Sequence, residues 1–293
     1  MSLSIQVEQL TQRFGETTAL DNVSFSLDAG KIYGLLGRNG SGKSTLLSIV
    51  AAFRKPTSGQ VLVDSEPVFE NGRLTRQICL IRDSVDVITD EPIKDAISFA
   101  ASVRPYWDQA YADQLIDRFG LDRNKKVNKL SRGQHSALGV VLGLAARAPL
   151  TMFDESYLGM DAPSRYIFYD ELLADYVRHP RTIIISTHLI EEVSKLFEEV
   201  LIIDRGKLLL HDEQERLLQR GASVTGQADA VDRFMNGLNV LNVRQLGSTK
   251  SATVFGELDG ARLHEAETAG LDVGPVALQD LFVHLTTKPE EQA

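Results

Sequence analysis

Apolar positions alternate with polar ones in the first ~30 residues: Ile5 and Val7, then Val23, Phe25 and Leu27, fall on single faces, the two-residue repeat of half-buried strands. Continuous apolar runs follow at Ile32-Tyr33-Gly34-Leu35-Leu36, Leu150-Thr151-Met152-Phe153, Thr182-Ile183-Ile184-Ile185 and Val200-Leu201-Ile202-Ile203. Such runs mark strands buried on both faces of a mainly parallel sheet. Shorter strands are predicted at Val61–Val63 and Gln77–Arg82. From Glu91 to Leu130 the spacing turns helical, with Leu115, Ile116 and Phe119 on one face, and further helices are predicted over Leu46–Phe53 and Pro163–Val177. Strands separated by helices predict βαβ units and an α/β fold.

Near Gly221 the texture shifts. Gly221-Ala222-Ser223-Val224-Thr225-Gly226 reads as a linker. Beyond it, strands are expected at Leu241–Val243, Ala252–Phe255 and Leu271–Val273, with helices at Ala261–Ala269 and Ala277–Thr286. Two domains are therefore expected: residues 1–220, with a helical subdomain at about 84–148, and a small α+β extension over 221–293. The most apolar stretch, Ala137–Phe153, contains Arg147 and Pro149 and falls short of the roughly 20 residues a membrane helix needs. It reads as a buried helix followed by a buried strand.

Composition narrows the partners. Among 293 residues, 43% are hydrophobic and 24% charged, as in an ordinary globular protein with a sizeable core. A net charge of −9 argues against a broad basic surface, so no nucleic-acid partner is expected. The single cysteine, Cys79, excludes an intramolecular disulfide and fits a reducing compartment. The opening Met1-Ser2-Leu3-Ser4-Ile5-Gln6 lacks the pattern of a secretion signal.

The chemistry is concentrated in Gly37-Arg38-Asn39-Gly40-Ser41-Gly42-Lys43-Ser44-Thr45, which fits the phosphate-loop pattern G-x-x-x-x-G-K-[ST] at every fixed position. Gly37, Gly40 and Gly42 let successive N–H groups point at phosphate oxygens, and a helix starting near Lys43 adds the positive end of its dipole. Lys43 is expected to reach the β- and γ-phosphates and the Ser44 hydroxyl to hold Mg²⁺. Leu150–Phe153 ends in Asp154-Glu155. Asp154 is placed to hold Mg²⁺ through water, and Glu155 to polarise the water attacking the γ-phosphate.

Leu130-Ser131-Arg132-Gly133-Gln134 opens the helix that precedes that strand. Together these motifs resemble the ATP-binding cassette (ABC) family, whose signature is L-S-G-G-Q, over roughly residues 4–220. The resemblance implies a P-loop NTPase core with an antiparallel β subdomain and a helical subdomain. It also implies that Phe14 stacks on adenine, that Ser131, Gly133 and Gln134 belong to a signature touching ATP held by a partner subunit, that Asp161 links the two sites, and that His188 is a switch histidine contacting the γ-phosphate. Catalysis would rest on Glu155, His188 and Lys43, with Asn39 and Thr45 completing the ATP cradle and Mg²⁺ on Ser44, Asp154 and Asp83. A complete site would need a second ATPase subunit, the same chain or a close paralogue. The family's partner is a separate transmembrane permease, which places the chain in the cytoplasm, peripheral on the inner face of the cell membrane. The closing segment Val276–Thr286 is similar to the ending of ATPase subunits from bacterial exporters of drugs or antibiotics.

Three positions depart from the family pattern. Asp83 stands where a glutamine usually touches Mg²⁺, Arg132 replaces the first signature glycine, and Ser156 replaces the proline that commonly follows the glutamate, which should loosen that turn. None of these removes Lys43, Asp154, Glu155 or His188, so an active ATPase is expected. The Arg123, Lys125, Lys126, Lys129 and Arg132 cluster reads as a solvated face, and Tyr106 and Trp107 as packing.

Overall fold

The computed structural model describes residues 2–83 and 90–286. They fall into two compact units, one running to His188 and resuming over Lys195–His211, the other taking Leu189–Ser194 and the chain from Asp212. In chain order the first unit contains β1 (Ile5–Phe14), β2 (Thr17–Leu27), β3 (Ile32–Leu36), α1 (Lys43–Val50), β4 (Ser58–Val63), β5 (Glu66–Pro67), α2 (Gly72–Thr75) and β6 (Ile78–Arg82). The helical stretch follows as α3 (Ile93–Val103), α4 (Gln109–Arg118) and α5 (Arg132–Ala145), then β7 (Leu150–Asp154), α6 (Ala162–Arg178) and β8 (Thr182–Thr187).

After α7 (Ile190–Val193), which belongs to the second unit, come β9 (Glu199–Asp204) and β10 (Lys207–Glu213). A six-stranded sheet has the order β10-β9-β3-β8-β7-β6, and an antiparallel sheet the order β2-β1-β4-β5. Strands β9, β3, β8, β7 and β6 pair in parallel, as their two-face burial predicts. One apolar core joins both sheets around α1: Leu10, Leu20 and Val61 from the antiparallel sheet, Leu35, Met152 and Ile184 from the other, and Leu46, Leu47 and Val50 from the helix. Packed from both sides, α1 holds its first residue, Lys43, in a fixed place.

The second unit continues with α8 (Gln214–Gln219), β11 (Gly221–Gln227), α9 (Ala228–Phe234), β12 (Val240–Leu246), β13 (Thr249–Phe255), α10 (Gly260–Thr268), β14 (Asp272–Pro275) and α11 (Leu278–Thr286). Its β-α-β-β-α-β order and the sheet β12-β13-β11-β14, antiparallel throughout, give the ferredoxin-like arrangement. Val231 and Phe234 of α9 and Ala266 of α10 share a core with Val224 and Val254 of the sheet. The linker expected at Gly221–Gly226 is instead a central strand of this sheet. Its glycines serve close packing: a Cβ at Gly221 would lie 2.8 Å from Leu281, and one at Gly226 would lie 2.5 Å from Leu271.

Within the first unit a buried ion cluster ties helices to the sheet. Arg181, just before β8, and Asp175 of α6 are each 2% exposed and lie 2.7 Å apart. Arg147, which interrupts the apolar run after α5, reaches Asp175 at 3.1 Å and Asp108, the N-cap of α4, at 2.7 Å. Asp175→Ala strands a buried guanidinium, so urea unfolding should show a loss of about 3–5 kcal/mol. A loss of less than about 1 kcal/mol, the range of an exposed pair, would contradict the cluster's structural role.

Candidate functional site

Strand register gathers the chemistry at one edge of the parallel sheet. Leu36 is level with Thr187, Asp154 with Ser186, and Arg82 with Asp154. The residues that follow these ends, Gly37, His188, Glu155 and Asp83, therefore emerge together beyond the carboxyl ends of the strands, where open α/β sheets bind ligands.

The phosphate loop owes its shape to space and backbone sign. Gly42 has φ +109°, and a Cβ there would sit 2.6 Å from the Ala19 carbonyl oxygen of β2. At Gly37 a Cβ would meet Ser41 Oγ at 2.3 Å and the Ile203 carbonyl at 2.5 Å. Gly42 is also the N-cap of α1, so no side chain caps the helix, and its first turn holds no acidic residue. The first N–H groups of α1 are left for an anion. Asn39, Gly40, Gly42, Lys43, Ser44, Thr45 and Glu155, with Ala19 and Ser41, line a cleft of about 260 Å³. Ser41 carries a buried hydroxyl with no hydrogen-bond partner in the ligand-free chain, an orphan that a phosphate oxygen would satisfy.

Lys43 is only 5% exposed at its side chain and pairs with Glu155 at 3.1 Å. Its ammonium donates to the Gly37 carbonyl at 2.7 Å and the Arg38 carbonyl at 3.3 Å. The same Glu155 oxygen lies 3.4 Å from His188 Nδ1. Glu155 adopts φ +52°, a left-handed conformation unusual for a residue with a side chain, at the turn leaving β7. Ser156 does not loosen that turn: it is fully buried, and backbone bonds from Glu155 N–H to Ser186 O and from Leu158 N–H to Glu155 O close it. Buried Asp154 accepts a 2.8 Å hydrogen bond from the Ser186 hydroxyl, which fixes the carboxylate's orientation. The sequence reading missed Ser186 and Ala19; the register of Ser186 beside Asp154 is the signal for the first, and nothing local marks the second.

The structure leaves a second group of expected residues outside this cleft. Ser131 and Gln134 form a reciprocal cap of α5: Gln134 N–H donates to Ser131 Oγ, and Ser131 N–H donates to Gln134 Oε1, each at 3.2 Å. Lys125 also donates to Gln134 Oε1, at 2.9 Å. The spacing S-x-x-Q was the available signal for this cap. A Cβ at Gly133 would press on the Gly159 carbonyl at 3.1 Å, so the signature turn packs on the loop leading to Asp161. Asp161 caps α6, accepting from Ser164 N–H at 3.0 Å, and Ser164 holds its carboxyl below the usual carboxylate range. Phe14, at the end of β1, is 41% exposed. Asp83 pairs with Arg132 at 3.3 Å, so two of the three departures from the family pattern are each other's partners. Of the remaining basic cluster, Arg123 pairs with Asp113 and Asp117, and Trp107 packs near Cys79, Ala146 and Ala148.

A family model described as ABC transporter matches residues 20–157. The ABC transporter ATP-binding protein YtrB of Bacillus subtilis is 27% identical over 204 residues, covering 70% of this chain and 70% of its own. The chain carries an ABC transporter ATP-binding domain. The methionine import ATP-binding protein MetN of Mesorhizobium japonicum is 30% identical over 216 residues, covering 70% of this chain and 59% of its own. Among solved structures, a dimeric ATP-binding cassette in a post-hydrolysis state, bound to ADP and phosphate, overlays with a TM-score of 0.63 at 21% identity, over 72% of this chain and 98% of that one. The chain is thus an ABC transporter ATPase subunit that binds and hydrolyses ATP. Lys43→Ala should weaken ATP binding at least about tenfold, the loss of one charge-assisted contact to phosphate, measured by titration calorimetry. Unchanged affinity would remove the lysine from the nucleotide cradle.

Proposed function

We propose that two copies of this chain, or this chain and a close paralogue, sandwich ATP and hydrolyse it to drive a separate membrane permease. The observation that carries this is the divided site. Lys43 and Glu155 line one cleft and His188 lies 3.4 Å from Glu155, whereas the signature residues Ser131 and Gly133 neither line the cleft nor share a hydrogen bond or ion pair with these three side chains. A phosphate bound by the first group would still need donors from elsewhere, and a second chain's signature supplies them.

In this reading Glu155 orients a water whose oxygen bonds to the γ-phosphorus as the bond to the bridging oxygen breaks, giving ADP and phosphate. Negative charge spreads over the γ-oxygens, and Lys43, His188 and the signature's N–H groups stabilise it. Phe14 offers its ring to adenine. The donors fit Mg²⁺: the Ser44 hydroxyl and the Asp154 carboxylate are hard oxygens, and among the described residues no cluster of three His, Cys, Asp or Glu side chains stands ready to hold a metal alone, so phosphate oxygens would complete the shell. Bound there, the ion would neutralise phosphate charge. Asp83 would join it only by leaving Arg132.

A groove of about 220 Å³, lined by Phe53, Arg82, Phe99 and Val103 among others, supports docking of a permease segment, since all three apolar side chains remain exposed. No described helix is long and apolar enough to cross a membrane, so the channel would come from that partner and the chain would sit on the membrane's cytoplasmic face. Export is the direction favoured by the closing segment 276–286, whereas the methionine relative is named for import. ATP-driven uptake into inverted membrane vesicles would support export, and ATP-driven efflux from them would support import.

Glu155→Gln should keep ATP binding, lower turnover at least about 100-fold, and elute as a dimer in gel filtration only with ATP. Unchanged turnover would remove Glu155 from the chemistry, and a monomer at saturating ATP would contradict the sandwich.

A further inference from the structure

Phe14 does not stand alone on the surface. The Arg54 guanidinium carbon lies 4.7 Å from the centre of its ring, within cation–π range. Two hydrogen bonds hold the backbones that carry this pair in register. Arg13 N–H donates to Thr57 Oγ1, and Thr57 N–H donates to the Thr11 carbonyl, each at 3.0 Å. The turn after α1, which carries Arg54, is thereby stitched to the end of β1, which carries Phe14. With Arg54 in place Phe14 is still 41% exposed, so the guanidinium leaves part of the residue open to a planar ligand.

We infer that Arg54 is a positioning residue for the base of the nucleotide: it backs the Phe14 ring so that the opposite face is presented to a purine. The inference rests on the reading of Phe14 as the base-stacking residue. A ring at the end of a strand, exposed and unsupported, loses rotamer freedom when a base stacks on it, and a guanidinium already packed on one face reduces that loss. A cation behind the ring interacts with its π-cloud, and Arg54 is not among the residues lining the phosphate-loop cleft, so its contribution belongs to the base.

The test compares ATP with inorganic triphosphate as ligands of the full-length chain, by titration calorimetry, in Phe14→Ala, Arg54→Ala, Arg54→Lys and the double variant Phe14→Ala/Arg54→Ala. Arg54→Ala should weaken ATP about two- to fivefold and leave triphosphate affinity unchanged. Arg54→Lys should recover part of the loss, and in the Phe14→Ala background removal of Arg54 should change nothing further. Equal weakening of ATP and triphosphate would reduce Arg54 to a general positive charge and overturn the inference. Tighter ATP binding would also overturn it, because Arg54 would then be blocking the face the base needs. A Phe14→Ala ratio of ATP to triphosphate affinity equal to that of the unmodified chain would overturn the stacking reading itself. A shifted ratio in Phe14→Ala with an unshifted one in Arg54→Ala would overturn only the assignment of Arg54.

Discussion

A lysine ammonium buried beneath a helix must be surrounded by oxygen, and that requirement organises the whole site. Lys43 reaches two phosphate-loop carbonyls that follow β3 and the Glu155 carboxylate that follows β7, two parallel strands ending at the same edge. The strands share an edge because they are parallel and in register; the lysine is fixed because α1 is packed between two sheets. In the proposed reading an incoming triphosphate brings oxygens of its own, and Glu155 would leave the lysine to meet a water. Glu155 thus stands as the anion beside the lysine, at the position where the proposed reading puts a phosphate.

The signature residues obey a different constraint. Ser131, Gln134 and Asp161 are helix caps as well as expected nucleotide contacts. The Ser131 oxygen accepts from its own helix. A cap makes the start of α5 a rigid object to present to another molecule. Gly133 packed on Gly159 adds a steric stop where the signature turn meets the loop leading to Asp161. The pairing of Asp83 with Arg132 extends these contacts to the edge of the sheet, through a surface contact weak enough to be exchanged.

The parallel strands, the phosphate loop and the carboxylates of β7 were legible in the sequence because each is a local pattern: a continuous apolar run, a glycine spacing, an acidic pair at a strand end. Reading the glycines of 221–226 as a linker failed because their purpose is non-local. Gly221 and Gly226 make room for Leu281 and Leu271, which lie far along the chain. Arg147 read as an interruption of an apolar helix for the same reason, its partners Asp108 and Asp175 being visible only after folding. Ser186 and Arg54, which act on Asp154 and Phe14, likewise carry no motif. Sequence patterns exposed the groups proposed to touch ATP, and the structure was needed for the groups that hold them.

The claim on which the account turns is that neither chain owns a whole active site. Steady-state turnover per chain, followed across a dilution series at saturating ATP and magnesium, tests it most directly. Turnover per chain should fall as the chains are diluted below the concentration at which they associate, in parallel with the dimer fraction measured by light scattering. Turnover that stays constant per chain while the scattering shows monomers would contradict it.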